Sequence, residues 1–153
     1  MASEIERKFL VDLAAWRPRD AGVHFKQGYL SSHPERVVRI RLHGESAKLT
    51  IKGITTGVTR AEFEYDVPVA DAIALLALCE QPLIEKRRHV ESYGGHAWEI
   101  DVFLGDNAGL VVAELELGSE TETFECPAWL GEEVSGDPRY YNNNLIARPF
   151  NTW

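Results

Sequence analysis

Like-signed charges recur two residues apart along this chain, and that spacing constrains its fold more than any other feature. In an extended strand, residues i and i+2 point to the same face. Glu4, Glu6 and Lys8 therefore share a face, as do Arg39 and Arg41, and Lys48, Thr50 and Lys52. Glu62 and Glu64 follow, then Lys86 and Arg88, Glu99 and Asp101, and Glu114 and Glu116. The residues between them are mostly apolar, among them Ile5, Ile40, Leu49, Ile51, Phe63, Ile100, Val102, Leu115 and Leu117. Each such strand has one ionic face and one oily face.

The alternation places strands at 4–11, 25–31, 37–42, 48–52, 59–67, 84–92, 97–104 and 110–117. Glycine-containing joints at 43–45, 53–57, 94–95 and 105–109 predict hairpins, so most neighbours should pair antiparallel. Helical stretches are expected at 12–16, at 71–79 with Asp71 as N-cap, and from Asp137-Pro138 through Tyr140 to Ile146, with Pro149 beyond. The expectation is a mainly β protein with a few flanking helices, forming a single domain over residues 1–153.

Two architectures fit that pattern. An open sheet would lay its oily face on helices and its charged face in water. A closed barrel of about eight strands would turn the charges inward around a space able to hold a small ligand. The segregation of sign within each strand, with RxR and KxK in some and ExE and ExD in others, favours the lined interior. Buried charges in such number must neutralise one another, stay hydrated or bind ions, and a wet interior allows all three.

A net charge of -8 argues against a broad nucleic-acid footprint, so no nucleic-acid partner is expected. The charged N-terminus carries no apolar run suited to a signal peptide or membrane span, and a cytoplasmic protein with no membrane partner is the expectation. Cys79 and Cys126 lack metal or disulfide spacing, and the five histidines are scattered.

A short linear triphosphate asks for both signs at once. Its phosphoryl groups need several fixed cations, with arginine giving forked bonds and lysine giving point charges. Hard divalent ions such as Mg2+ or Mn2+ need carboxylate oxygens. The chain offers both sets.

The ordered set of pairs resembles the CYTH domain, the triphosphate tunnel metalloenzymes. Glu4-Ile-Glu6-Arg-Lys8 reads as the ExExK hallmark. Arg39-Ile-Arg41, Lys48-Leu-Thr-Ile-Lys52, Glu62-Phe-Glu64, Lys86-Arg-Arg88, Trp98-Glu-Ile-Asp101 and Glu114-Leu-Glu116 follow in the family's order. Asp137-Pro-Arg139-Tyr140 and the segment 142–145 are similar to its C-terminal signature.

The resemblance implies an eight-stranded closed antiparallel tunnel that hydrolyses a triphosphate-containing small molecule. Inorganic triphosphate, cleaved to diphosphate and phosphate, is the first choice. It implies Lys8, Arg39, Arg41, Lys48, Lys52, Lys86 and Arg88 as phosphate ligands, with Arg139 closing over the substrate or serving as a capping residue. Glu4, Glu6, Asp101, Glu114 and Glu116 are implied as ligands of Mg2+ or Mn2+, with Glu62 and Glu64 as further metal residues or structural ion-pair partners. Glu4 and Glu6 would also activate water. Tyr29 stands where short bacterial members have a tyrosine proposed as proton acceptor; the alternative is a tyrosine bracing the tunnel mouth. A class IV adenylate cyclase, a thiamine triphosphatase and a polyphosphate-binding module without turnover are the rival readings, and a monomer or homodimer is expected.

Overall fold

The computed structural model describes residues 3–153, so the first two residues of the expected domain lie outside it. Nine strands form one antiparallel sheet: β1 (Ser3–Val11), β2 (Val23–Ser31), β3 (Val37–His43), β4 (Ser46–Lys52), β5 (Thr59–Asp66), β6 (Ile84–Tyr93), β7 (His96–Phe103), β8 (Val111–Glu116) and β9 (Leu130–Glu133). Their order is β5-β4-β3-β2-β6-β7-β8-β1-β9, and an additional β5–β1 pairing closes the first eight into a barrel. The closed alternative is therefore the one adopted.

Closure rests on a split edge. β1 pairs with β8 along one side through Glu6↔Glu116, Lys8↔Glu114 and their neighbours. Along the other side its start meets β5, with Glu4 opposite Arg60, and its end meets β9, with Phe9 opposite Glu133. β9 was absent from the expected strands, because Leu-Gly-Glu-Glu lacks the β-branched alternation that marks a strand. It docks because Gly131 has no side chain: a Cβ there would stand 2.8 Å from the Leu10 carbonyl oxygen.

The expected helices shrink. Residues 12–16 make a single turn in which Ala15 and Trp16 donate to the Asp12 carbonyl. Helix α1 (Val69–Leu76) starts two residues before Asp71, with Pro68 at its N-cap and Asp71 in its first turn instead of capping it. Proline at that position has its fixed φ and needs no donor partner, which brings the start forward. The helix expected from Pro138 to Ile146 is replaced by 3-10 turns at Pro138–Tyr140 and Asn142–Asn144, broken at Tyr141 with φ -69 and ψ 129. Asp137 does cap the first of them, accepting from the Arg139 backbone N–H.

Apolar packing lies mostly outside the barrel wall. Phe9, Trp98, Ile100, Ala113 and Leu115 point outward and are covered by Trp16, Leu117, Phe124 and Trp129. Helix α1 covers Ile40 and Ala47 through Ala72 and Leu76. The third cluster is different: Tyr29, Val37, Ile84, Phe103 and Val112 share the parity of the charged residues and so point inward. Tyr140, Leu145 and Ile146 from the C-terminal segment pack onto them. One end of the barrel is thus sealed by an apolar plug, and the charged interior begins below it. Among the described residues no helix is long and apolar enough to cross a membrane.

Candidate active site: a tunnel divided by charge

Below the plug the interior holds two adjoining cavities that share Glu4, Glu6, Arg39, Arg41, Lys52 and Glu114 in their walls. The first is lined by six cationic side chains, Lys8, Arg39, Arg41, Lys52, Arg60 and Lys86, against three carboxylates, Glu4, Glu6 and Glu114. The second reverses the balance. Glu4, Glu6, Glu62, Glu64, Glu99, Glu114 and Glu116 outnumber Arg39, Arg41, Lys48, Lys52 and Arg88 there. Strand identity produces the division: β3, β4 and β6 bring most of the bases, while β5, β7 and β8 bring most of the acids.

Ion pairs hold the cations in place. Lys52 Nζ lies 2.7 Å from Glu4 and 3.4 Å from Glu62. Arg39 reaches Glu64 at 3.7 Å and Lys8 reaches Glu114 at 3.9 Å. Lys48 is held by Asp66 at 2.8 Å near the rim. Lys86 and Arg88 both contact Asp101 at 2.7 Å, and Arg88 also meets Glu99 at 2.9 Å.

Arg41 and Arg60 have no carboxylate in ion-pair range among the described residues. Arg60 donates to the Gly53 carbonyl, and Arg41 donates to the Gln27 side chain. Burial, together with Arg39 and Arg88, presses Arg41 down to about 9. A polyanion entering the first cavity relieves that repulsion.

The acids are strained in the opposite sense. Carboxylate oxygens of Glu6, Glu99 and Glu114 come within 4.8 Å of one another. Burial and the adjacent Glu114 push the Glu6 carboxyl well above its usual range, while Lys8, Arg88 and Lys86 overcome burial and hold Glu114 well below it. Three converging carboxylates, one reluctant to ionise, form a donor set suited to a hard divalent cation.

Of the residues singled out from sequence, Glu4, Glu6, Lys8, Tyr29, Arg39, Arg41, Lys48, Lys52, Glu62, Glu64, Lys86, Arg88, Glu114 and Glu116 all line the two cavities. Two do not. Asp101 is fully buried behind Lys86 and Arg88, with both of its oxygens engaged, and its position makes it a countercharge for those bases. Arg139 is exposed, held by Asp137 at 2.7 Å and stacked near Tyr140 and Trp153, away from both cavities. Arg60, Gln27, Glu99 and His43 carry interior parity but were not singled out as site residues. The RxExE run 60–64 contains the clue for Arg60, and Glu99-Ile-Asp101 contains it for Glu99.

The CYTH domain profile matches residues 2–150. An inorganic triphosphatase of Acetivibrio thermocellus is 46% identical over 151 residues, covering 98% of this chain and 97% of that one. The chain belongs to the CYTH-domain family. A second relative, an inorganic triphosphatase of Nitrosomonas europaea, is 36% identical over 94% of this chain and 96% of its own. A solved crystal structure of an inorganic triphosphatase superposes on this CYTH domain with a TM-score of 0.66, at 34% identity and 95% coverage of each chain.

Proposed function

We infer that the tunnel hydrolyses inorganic triphosphate to diphosphate and phosphate, with Mg2+ or Mn2+ held by its acidic half. The observation that carries this reading is the division of one continuous interior into a cation-rich chamber and an acid-rich chamber. The two relatives named as inorganic triphosphatases support the choice of substrate.

In this reaction the oxygen of water bonds to a terminal phosphorus as the bridging P–O bond to the departing diphosphate breaks. The water gives up a proton, and negative charge grows on the leaving group. Lys8, Arg39, Arg41, Lys52, Arg60 and Lys86 hold the phosphoryl groups by ion pairs and offset that charge, and they are already fixed by their own partners. Glu6, Glu99 and Glu114, with Glu4 beside them, would hold the metal, which when bound would supply further positive charge against the phosphoryl oxygens. Glu4 also orients water at the boundary between the chambers. Glu62 and Glu64 lie farther into the acidic chamber and keep Lys52, Arg39 and Lys48 in position, and Glu116 beside them is free to accept an additional cation. Tyr29, buried at the plug end of the cation-rich chamber, presents its hydroxyl to the substrate.

Phosphate release from inorganic triphosphate, with Mg2+, Mn2+ or chelator, tests the reading. Turnover should require metal and should fall sharply in Glu4→Gln. Tight triphosphate binding that survives chelation, with no product, would instead identify a binding module.

A pH effect follows from Lys86, which burial pushes down to about 7, with Asp101 opposing and Arg88 and Arg41 reinforcing the shift. A bound polyanion favours the ammonium form, so the folded protein takes up a proton on binding near and above pH 7. Affinity for triphosphate falls as pH rises through that range. Calorimetry of metal-free protein in buffers of different ionisation heat should show this uptake, and Lys86→Arg should lose it; equal uptake in both proteins would assign it to the ligand alone.

A further inference from the structure

Gln27 is fully buried in β2, opposite Arg41 in the β2–β3 register, and its side chain touches three groups. Arg41 Nε donates to Gln27 Oε1 at 2.8 Å. Gln27 Nε2 lies 3.1 Å from the Tyr29 hydroxyl oxygen and 3.3 Å from Asn142 Oδ1. An amide has two possible orientations, and its partners decide between them. A guanidinium only donates, so the oxygen of Gln27 must face Arg41 and its NH2 must face Tyr29. Asn142 is oriented in the same way, because its Oδ1 also receives the Lys86 Nζ at 2.9 Å.

The consequence falls on Tyr29. Its phenol oxygen accepts from Gln27, so its own O–H is directed elsewhere, and among the described residues that hydrogen has no protein acceptor. Tyr29 lines the cation-rich chamber. We propose that Gln27 is a positioning residue for the reaction: its amide, oriented by Arg41, fixes the Tyr29 ring and turns the phenol O–H into the chamber toward the phosphoryl oxygens. One buried side chain thereby ties the aim of the hydroxyl to the placement of a phosphate-binding arginine. The proposal rests on the triphosphatase reading for its effect on turnover; the orientation itself does not.

The test is a double-mutant cycle between Gln27→Met and Tyr29→Phe, read as kcat and as the Kd of triphosphate for metal-free protein. Gln27→Met should lower kcat ~100-fold, the scale of a misplaced group, while Kd changes far less. In the Tyr29→Phe background the same substitution should lower kcat less than about threefold, because the group it positions is already gone. A general packing defect would lower kcat equally in both backgrounds, and that result, or an unchanged kcat in the single variant, overturns the proposal. Should Gln27→Met fail to fold, Gln27→Glu takes its place, keeping an acceptor for Arg41 and removing the amide donor.

A substrate-free measurement separates this from the functional reading. In 15N-labelled protein the Gln27 side-chain NH2 signals should shift in Tyr29→Phe and stay in place in Tyr93→Phe. Absence of triphosphate turnover in the wild type with that shift present would refute the activity and leave the positioning standing; no shift would refute the positioning.

Discussion

Glu6→Gln is expected to lower kcat/KM for triphosphate by ~10²–10³-fold, the scale of removing one group that stabilises charge in a preorganised site. The same substitution is expected to make the protein more stable. Glu6, Glu99 and Glu114 crowd their oxygens within 4.8 Å, so the ionised Glu6 repels its neighbours. Glutamine removes the charge, keeps the shape, and offers Glu114 an N–H donor in place of the carboxyl O–H. The sign is fixed by the raised Glu6 pKa. A carboxyl harder to ionise when folded than when unfolded contributes stability below its unfolded pKa and loses that contribution as pH rises through the folded value. The gain from glutamine is therefore largest at neutral pH and above, where it should be roughly 0.5–2 kcal/mol, and it vanishes under acid conditions. Urea unfolding of both proteins at neutral and acid pH, alongside the assay, checks both halves. Loss of activity together with loss of stability would mean that Glu6 is a structural acid.

Asp101→Ala should have the opposite effect on stability. Asp101 is fully buried and accepts from Arg88 through both oxygens, at 2.7 and 2.8 Å, with Lys86 at 2.7 Å. Without it Arg88 keeps Glu99, but Lys86 keeps only Asn142 and a distant share of Glu114's charge. Removing the carboxylate that both bases share, with its two bonds to Arg88, costs ~3–5 kcal/mol. For a chain of this size that is a fall in Tm of about 10 °C or more. Triphosphate binding should weaken as well, because Lys86, already near 7 with its countercharge present, sheds its proton more readily without it. Thermal unfolding and calorimetry at pH 7 read the two effects. An Asp101→Ala protein as stable as the wild type, with only its metal affinity reduced, would return Asp101 to the role of metal ligand.

These two residues also show how far the sequence could be read. Alternation assigns a residue to a face, and in β1 and β3 through β8 it puts the charged pairs on the inner one. It says nothing of depth. Glu99 and Asp101 have the same parity on β7, yet Glu99 opens into the acidic chamber while Asp101 is closed off behind two bases. Depth is set by the neighbouring strands: Asp101 stands opposite Arg88 in the register of β6 and β7.

Nor does a rule of oily outside and ionic inside hold along the whole tunnel. Val37, Ile84, Phe103 and Val112 point inward at the plugged end, because the C-terminal segment fills that end with Tyr140, Leu145 and Ile146. The capping signal of that segment predicts a helix. The signal is real, but Tyr141 leaves helical geometry and ends the run. The resemblance to the C-terminal signature leaves Arg139 either closing over the substrate or serving as a capping residue, and the structure favours the second. The carboxylate that caps the turn, Asp137, captures Arg139 two residues away. Gln27 is not legible in the sequence because a neutral amide carries no charge pattern; its role depends on Arg41, Tyr29 and Asn142 packed around it.

The central claim is that this divided interior cleaves a free triphosphate. Phosphorus NMR of the protein with metal, offered inorganic triphosphate and ATP in turn, tests it most directly. The account predicts that triphosphate is converted to diphosphate and phosphate in equal amounts, much faster than ATP is consumed, and that Glu4→Gln stops the conversion. Faster turnover of ATP, or appearance of a cyclic nucleotide and diphosphate, would contradict it and give the same tunnel a nucleotide as its substrate.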